Sequence, residues 1–165
     1  MGNVDLTGTR SRPTNFTNAN LRNADFEGAS FEYVNFTDAK LNFTNLNGIE
    51  TQVCNFAGAN LRDATFETNN IEDANVGGDN FSHADLSNAD LMGAILGNTN
   101  FTKANLHNAN LYDANMLGTI FAGSEMQSAI INDSAGDSYI GSGIIGRPSS
   151  LPIGWKLVYG SFEKI

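Results

Sequence analysis

From Leu6 to Ile131 every fifth residue is large and apolar, and the only exceptions are Ser11 and Thr51. A small residue, usually Ala, stands two places before the large one, and the residue between them is usually Asn or Asp. A period of five fits neither an amphipathic helix, with a period near 3.6, nor a flat strand, with a period of 2. Because the small and large residues are two apart, they lie on the same side of an extended segment. Each unit therefore predicts a short extended edge.

Two mostly polar residues separate each large residue from the next small one, which predicts a turn after every edge. A chain that turns in the same way every five residues winds into a coil, and stacked coils can pair their backbones at strand spacing. The sequence thus predicts a solenoid whose interior is filled by the large and small residues. Ile49 is too large for its small position, and the residue at the following large position is the undersized Thr51, so the two deviations offset each other.

The tandem pattern A(N/D)LXX, clearest at residues 84–93 and 104–116, resembles the pentapeptide-repeat family. The resemblance implies an all-β fold, a right-handed quadrilateral β-helix with four repeats in each coil. The frame shows no insertion, so residues 1–131 are expected to form about six coils, roughly 30 Å long. Large residues twenty apart should then stack in columns. The expected columns include Leu21, Leu41, Leu61, Phe81, Phe101 and Phe121 on one face, and Phe16, Phe36, Phe56, Val76, Leu96 and Met116 on another.

Residues 132–165 break the pattern and are expected to cap the last coil, whose exposed edges and apolar interior would otherwise recruit another chain. The run from Leu151 to Val158, with a turn at Pro152 to Gly154, resembles a tail found after the repeats in bacterial, notably cyanobacterial, members. Trp155 would pack against outward apolar residues near this end, or the same residues form a partner site. These residues are Met92, Ile95, Tyr112, Leu117, Ile120 and Ile130. The first coil has no comparable cover, so a homodimer through that coil end is a further hypothesis.

The net charge is −9, from 18 acidic and 9 basic residues. Assigning outward residues by their position in a twenty-residue coil places the acids on two adjacent faces, and it places Arg22, Lys40, Arg62 and Lys103 on another face. The two acidic faces form the candidate interaction surface. The first carries Asp5, Asp25, Glu27, Glu67, Asp85 and Glu125; the second carries Glu32, Glu50, Glu72, Asp73, Asp90 and Asp113, with Arg10 and Arg12 beside them.

An acidic side repels nucleic acid and favours a basic protein partner, so no direct nucleic-acid binding is expected. The sequence predicts a non-catalytic protein-binding or scaffold protein of unknown partner. The alternative comes from the family resemblance: some members, the quinolone-resistance proteins, are thought to imitate DNA and to inhibit or protect DNA gyrase. Two features weigh against it, because those members carry loops that this frame does not admit and dimerise through a C-terminal helical segment that this Gly-rich tail does not resemble.

One irregular polar spot lies between Thr68 and Asp79, where Asn69 and Asp79 occupy small inward positions around Gly77 and Gly78. A buried Asp must be hydrogen-bonded or protonated. We expect Asp79 to accept bonds from the amides of the turn, and the alternative is a small ligand or ion site. The single cysteine, Cys54, also occupies a small position and is predicted to be a buried substitute for Ala or Thr.

Nothing in the chain predicts an enzyme, a cofactor or a metal site. His83 and His107 occupy outward positions on different faces, without other ligands at metal-binding spacing, and are expected to be solvated. No nucleophile, phosphate-binding or zinc-protease motif is present. The sequence has no leading apolar stretch and no run long enough to span a membrane, which predicts a cytoplasmic protein without a membrane partner.

Overall fold

The computed structural model describes residues 7–8, 10–11, 13–66, 76–131, 139–140 and 145–165. Short parallel edges stack along the coil axis. The edges long enough to count as strands in the first coils are β1 (Arg10–Ser11), β2 (Ser30–Glu32) and β3 (Glu50–Gln52), which form one parallel sheet in that order. Elsewhere each edge contributes a single parallel bridge, such as Asn15 to Asn35 and Asn35 to Asn55. A repeat of five leaves room for no longer edge.

The turns between edges explain why Asn, Asp and Gly recur two places after the large residue. In most coils this position has a positive φ, for example 63° at Gly28 and 59° at Asn88. Gly reaches this left-handed region without steric cost, and Asn and Asp tolerate it better than other residues. The turn is closed by the amide of the next small residue, as in the bond from Ala59 N to Phe56 O at 3.0 Å. The polar half of the repeat thus fixes the corners.

The number of residues in a coil changes in the middle of the chain. Paired residues differ by 20 as far as Asn45 and Thr65, and by 25 at the pairs Asn55 to Asn80, Asn60 to Asp85 and Thr65 to Asp90. Because Val76 N donates to Ile95 O, a difference of 20 is restored there. The coil that passes between Phe66 and Val76 therefore contains five additional residues, and residues 67–75 lie outside the described part. The prediction of a frame without insertion was wrong, because an insertion as long as one repeat leaves every fifth residue in place.

The corrected register joins residues that the sequence frame had separated. Phe56 stacks on Phe81 with ring centroids 4.6 Å apart, and Phe81 on Phe101 at 5.3 Å. The predicted succession of Phe56 by Val76, and of Leu61 by Phe81, was therefore wrong. We name four faces by the large residues that stack beneath them. Face 1 has Phe16, Phe36, Phe56, Phe81, Phe101 and Phe121; face 2 has Leu21, Leu41, Leu61, Leu86, Leu106 and Met126; face 3 has Phe26, Leu46, Phe66, Leu91, Leu111 and Ile131; face 4 has Phe31, Thr51, Val76, Leu96 and Met116.

The interior is closely filled. Large residues such as Leu41 and small ones such as Ala39 are fully buried, and Cys54 is buried as predicted. Every buried side-chain nitrogen or oxygen in the described residues has a hydrogen-bond partner. Thr44, Thr99 and Thr119 take small positions, and each donates its hydroxyl to a backbone carbonyl.

Parallel pairing extends beyond Ile131, because Ile120 pairs with Ile145 and Glu125 with Ser150. The chain then forms an antiparallel sheet of β4 (Tyr139–Ile140), β5 (Trp155–Val158) and β6 (Ser161–Lys164), in the order β4-β6-β5. Phe162 of β6 is fully buried, and its ring lies 5.7 Å from that of Phe121 at the end of the face 1 column. Among the described residues there is no helix that could span a membrane.

Candidate functional site

Asp79 is buried and satisfies an amide that the repeat leaves without its usual acceptor. Its Oδ1 accepts a bond of 2.8 Å from Cys54 N, and its Oδ2 accepts one from the Thr51 hydroxyl. In most coils the corresponding amide donates to the carbonyl of the large residue three places earlier. Asp79 therefore closes the turn after Thr51 from the neighbouring coil. The predicted burial of Asp79 is confirmed, and its carboxylate accepts bonds from Thr51 and Cys54, whereas the Gly78 amide donates to Gly97 O. Asn69 lies outside the described residues.

Burial dominates the ionisation of this pair of side chains. Desolvation raises the pKa of Asp79 to about 7, while the bonds from Thr51 and Cys54 act in the lowering direction. Burial, and then the nearby Asp79 carboxylate, raises the pKa of the Cys54 thiol to about 11. The thiol therefore stays protonated at neutral pH, and its sulfur lies 3.5 Å from Phe31 O. A buried, protonated thiol is a poor nucleophile, so this geometry supports a structural role.

The structure distributes the predicted acidic surface over three faces instead of two. Asp25, Glu27 and Asp90 lie on face 3, Glu32 and Glu50 on face 4, and Asp85 and Glu125 on face 2. Asp113 lies at the turn that follows face 3, with a φ of 57°. The five additional residues shift every position after them by one face, which is why the twenty-residue assignment failed. Glu67, Glu72, Asp5, Asp73 and Arg12 lie outside the described residues.

Three of these acids have a local structural role. Asp25, Asp85 and Asp90 each accept a bond from the amide two residues later, at 3.0 to 3.1 Å. Asn residues make the same bond at equivalent positions, as Asn105 does with His107 N at 3.0 Å. The side chains are also bonded along the axis, since Asn105 donates to Asp85 and Asn110 donates to Asp90. These Asp and Asn side chains are therefore held in a fixed array.

The acidic charge is largely uncompensated. Within the part of the chain that the structure describes, Arg62 forms an ion pair with Asp63 at 3.5 Å, and Lys156 forms one with Glu163 at 3.1 Å. Among the described residues, most candidate acids of faces 2, 3 and 4 form no ion pair. Residues without an ion pair in this part of the chain include Asp25, Glu27, Glu32, Glu50, Asp85, Asp90 and Glu125.

The shape of the surface offers little to a small substrate. An open groove of about 810 Å³ on face 2 has only polar lining residues, among them Arg62, His107, Glu125 and Ser150. Binding sites for small molecules are usually enclosed and mostly apolar. The described residues contain no group of three or more His, Cys, Asp or Glu side chains that could hold a metal ion.

Sequence reasoning missed three exposed apolar residues at turn positions. Tyr33, Phe43 and Val53 have φ values of 56°, 63° and 56°, and each is about half exposed or more. A left-handed conformation is costly for such residues, most of all for a β-branched one. The signal was present in the sequence, because these residues stand where other repeats have Asn, Asp or Gly. Of the apolar residues predicted to meet the tail, Leu117 and Ile130 are exposed, whereas Trp155 is partly buried against the core.

The family model for pentapeptide repeats matches residues 14–48, 80–118 and 99–134 with 8 copies, more than half of the chain. The chain belongs to the pentapeptide-repeat family. Proteins of this family fold as right-handed quadrilateral β-helices and are generally non-catalytic structural or binding proteins. The stacked parallel edges, with no helix among the described residues, agree with that fold. No curated protein sequence matches the chain.

Solved structures with this fold are similar to the chain at low sequence identity. A trypsin-treated variant of QnrB1, a plasmid-mediated fluoroquinolone resistance protein, is 21% identical with a TM-score of 0.60, over 87% of this chain and 70% of that one. Rfr23, a pentapeptide repeat protein from the cyanobacterium Cyanothece 51142, is 20% identical with a TM-score of 0.41, over 92% and 88%. At these identities the likeness extends to the fold alone.

Proposed function

We propose that this chain is a non-catalytic protein-binding rod that presents a fixed acidic surface to a basic protein partner. The observation that carries the proposal is a set of carboxylates on faces 2, 3 and 4 that form no ion pair within the described residues, although face 2 also carries Arg22, Lys40 and Arg62. Because hydrogen bonds already hold Asp25, Asp85 and Asp90, these side chains lose little conformational entropy when a partner binds. A field of one sign also accelerates association with a partner of the opposite sign.

The proposal is tested by a pull-down from native lysate with washes of increasing salt. A partner bound through the acidic array should leave as the ionic strength rises, because screening weakens exposed charge pairs. The matched variant replaces Asp25, Asp85 and Asp90 by Asn, which keeps the turn bonds that Asn makes elsewhere in the array. This variant should fold as the wild type does and lose the partner. Equal capture by both proteins at all salt concentrations would refute the proposal.

The second candidate is imitation of DNA, as an inhibitor or protector of DNA gyrase or of another DNA-binding enzyme. It rests on the fold shared with a fluoroquinolone resistance protein, and a shared fold does not carry a function. The charge density does not favour it, because B-DNA has about one charge per 1.7 Å. The outward column of face 3 reads Asp25, Asn45, Thr65, Asp90, Asn110 and Ile130, with only two carboxylates. A supercoiling assay in which excess protein leaves gyrase unchanged would remove this candidate.

The remaining finer expectations are also proposals. We propose that residues 132–165 cover the last of about six coils, which is supported by the burial of Phe162 against Phe121 and by the packing of Trp155. A cytoplasmic location and a homodimer through the first coil end rest on the sequence alone. Removal of residues 152–165 should expose the apolar interior and cause aggregation, measured by light scattering.

A further inference from the structure

Two opposite faces carry opposite charges in the coils of residues 20–62. On face 2, Arg22, Lys40 and Arg62 are exposed, and Arg62 is the one with an acidic neighbour, Asp63. On face 4, Glu50 is exposed and Glu32 is half-buried. These two glutamates line a shallow depression of about 360 Å³ between Phe31 and Thr51, and its lining includes no basic residue. Within the described part of the chain, face 4 has one basic residue near these glutamates, Arg10, which lies one coil below Ser30.

The charges of the two faces also alternate in height. In these coils paired residues differ by 20, and successive coils are about 4.8 Å apart. Height along the axis therefore follows residue number. Glu32 lies about midway in height between Arg22 and Lys40, and Glu50 about midway between Lys40 and Arg62, each within roughly 3 Å along the axis. A copy moved sideways, without rotation, would place each glutamate of one chain between two cations of the next.

Exposed apolar residues border the same two faces. Tyr33 and Val53 stand at the turn after face 4, and Phe43 stands at the turn after face 2. In the sideways arrangement, Phe43 of one copy would meet the turn after face 3 of the next, where Gly28 and Gly48 have no side chain. A Cβ added to Gly28 would have no other atom within 4 Å, so the space next to Gly28 is open. Apolar residues that keep a costly backbone conformation at the surface are consistent with a role beyond the fold of the single chain.

We propose that copies of this chain associate side by side, face 2 of one copy against face 4 of the next, through the coils of residues 20–62. The two surfaces are different, so the contact is heterologous and extends to an open row unless it is capped. This inference rests on the proposed function, since it names a second copy as the partner of Glu32 and Glu50. The acids of face 3 stay free for another protein.

The test measures the weight-average mass of the full chain by sedimentation equilibrium at increasing protein concentration, in low and in high salt. The mass should rise with concentration in low salt and return to that of a single chain in high salt. Glu50→Lys and Lys40→Glu should each weaken association at least about tenfold, because attraction between exposed charges becomes repulsion. An equimolar mixture of these two variants should associate again, since each supplies the charge that the other lacks.

The matched control is Glu27→Lys, which changes the net charge as Glu50→Lys does but lies exposed on face 3. It should associate as the wild type does. A single-chain mass for the wild type at all concentrations in low salt would overturn the inference and leave the proposed function, which the pull-down tests, in place. Association that both Glu50→Lys and Lys40→Glu leave unchanged would also overturn it, and would indicate contact through a coil end.

Discussion

The columns beneath faces 1 and 4 run through the same coils but are built differently. Face 1 stacks phenylalanines, with Phe36, Phe56 and Phe81 nearly parallel at centroid distances of 4.7 and 4.6 Å. In face 4, Thr51 stands at one of the large positions, and its hydroxyl donates a hydrogen bond to the carboxylate of Asp79 in the next coil. The difference shows that a repeat interior tolerates a buried acid where the coil changes length, provided that the acid completes a turn.

The largest effect is expected from a break in the regular column. Phe81→Ala removes a fully buried ring from between Phe56 and Phe101 and should lower the free energy of unfolding by about 3–5 kcal/mol, measured by chemical denaturation. Phe43→Ala, at a ring that is 56% exposed, is the control and should change it by less than about 1 kcal/mol. If both variants lose the same stability, the stacked column is not the core of the fold.

The irregular column should make stability depend on pH. Burial holds the pKa of Asp79 near 7, above its ordinary value of 3.8, so the folded state binds this proton more tightly than the unfolded state does. The contribution is therefore full below pH 3.8 and is lost as the pH rises to about 7. A shift of this size corresponds to at most about 4 kcal/mol. Cys54, with a pKa raised to about 11, does not titrate in this window.

Asp79→Asn is the variant that isolates this dependence, because its amide oxygen can still accept the Cys54 amide proton. Denaturation curves between pH 4 and 7 should show a smaller loss of stability for Asp79→Asn than for the wild type. Parallel curves for the two proteins would mean that Asp79 is ionised in the folded state throughout, and the difference between the two columns would then be one of packing alone.

A smaller effect is expected when the Asp79 carboxyl is removed at neutral pH. Asp79→Ala leaves the buried Cys54 amide without its acceptor, which should cost about 1–3 kcal/mol. The melting temperature of Asp79→Ala should therefore lie below those of the wild type and of Asp79→Asn. A melting temperature equal to that of the wild type would show that the turn after Thr51 does not need Asp79.

The fold could be predicted from the sequence, but the assignment of residues to faces could not. The apolar period of five and its small partners depend only on what each repeat buries, so the coil could be predicted from them. An insertion of one repeat preserves that period, and only the match of Phe56 with Phe81 instead of Val76 could have revealed it. The change in coil length lies in the part of the sequence where the irregular residues Asn69, Gly77 and Asp79 occur. The partners of Asp79 depend on the register of the neighbouring coil, which the period does not contain.

The smallest expected effect has the opposite sign and concerns the turns that follow the two columns. The turns after face 1 have residues suited to a positive φ, such as Asn18, Asp38 and Gly58, whereas the turn after Thr51 has Val53. Val53→Asn should raise the free energy of unfolding by about 1 kcal/mol, because Asn accepts the left-handed conformation. Val53→Thr keeps the β-branched side chain and should give no gain. A loss of stability in dilute Val53→Asn would show that Val53, although 61% exposed, has a role in packing within the single chain. A gain in stability, together with weaker self-association at high concentration, would indicate that the valine is kept for contact with another copy.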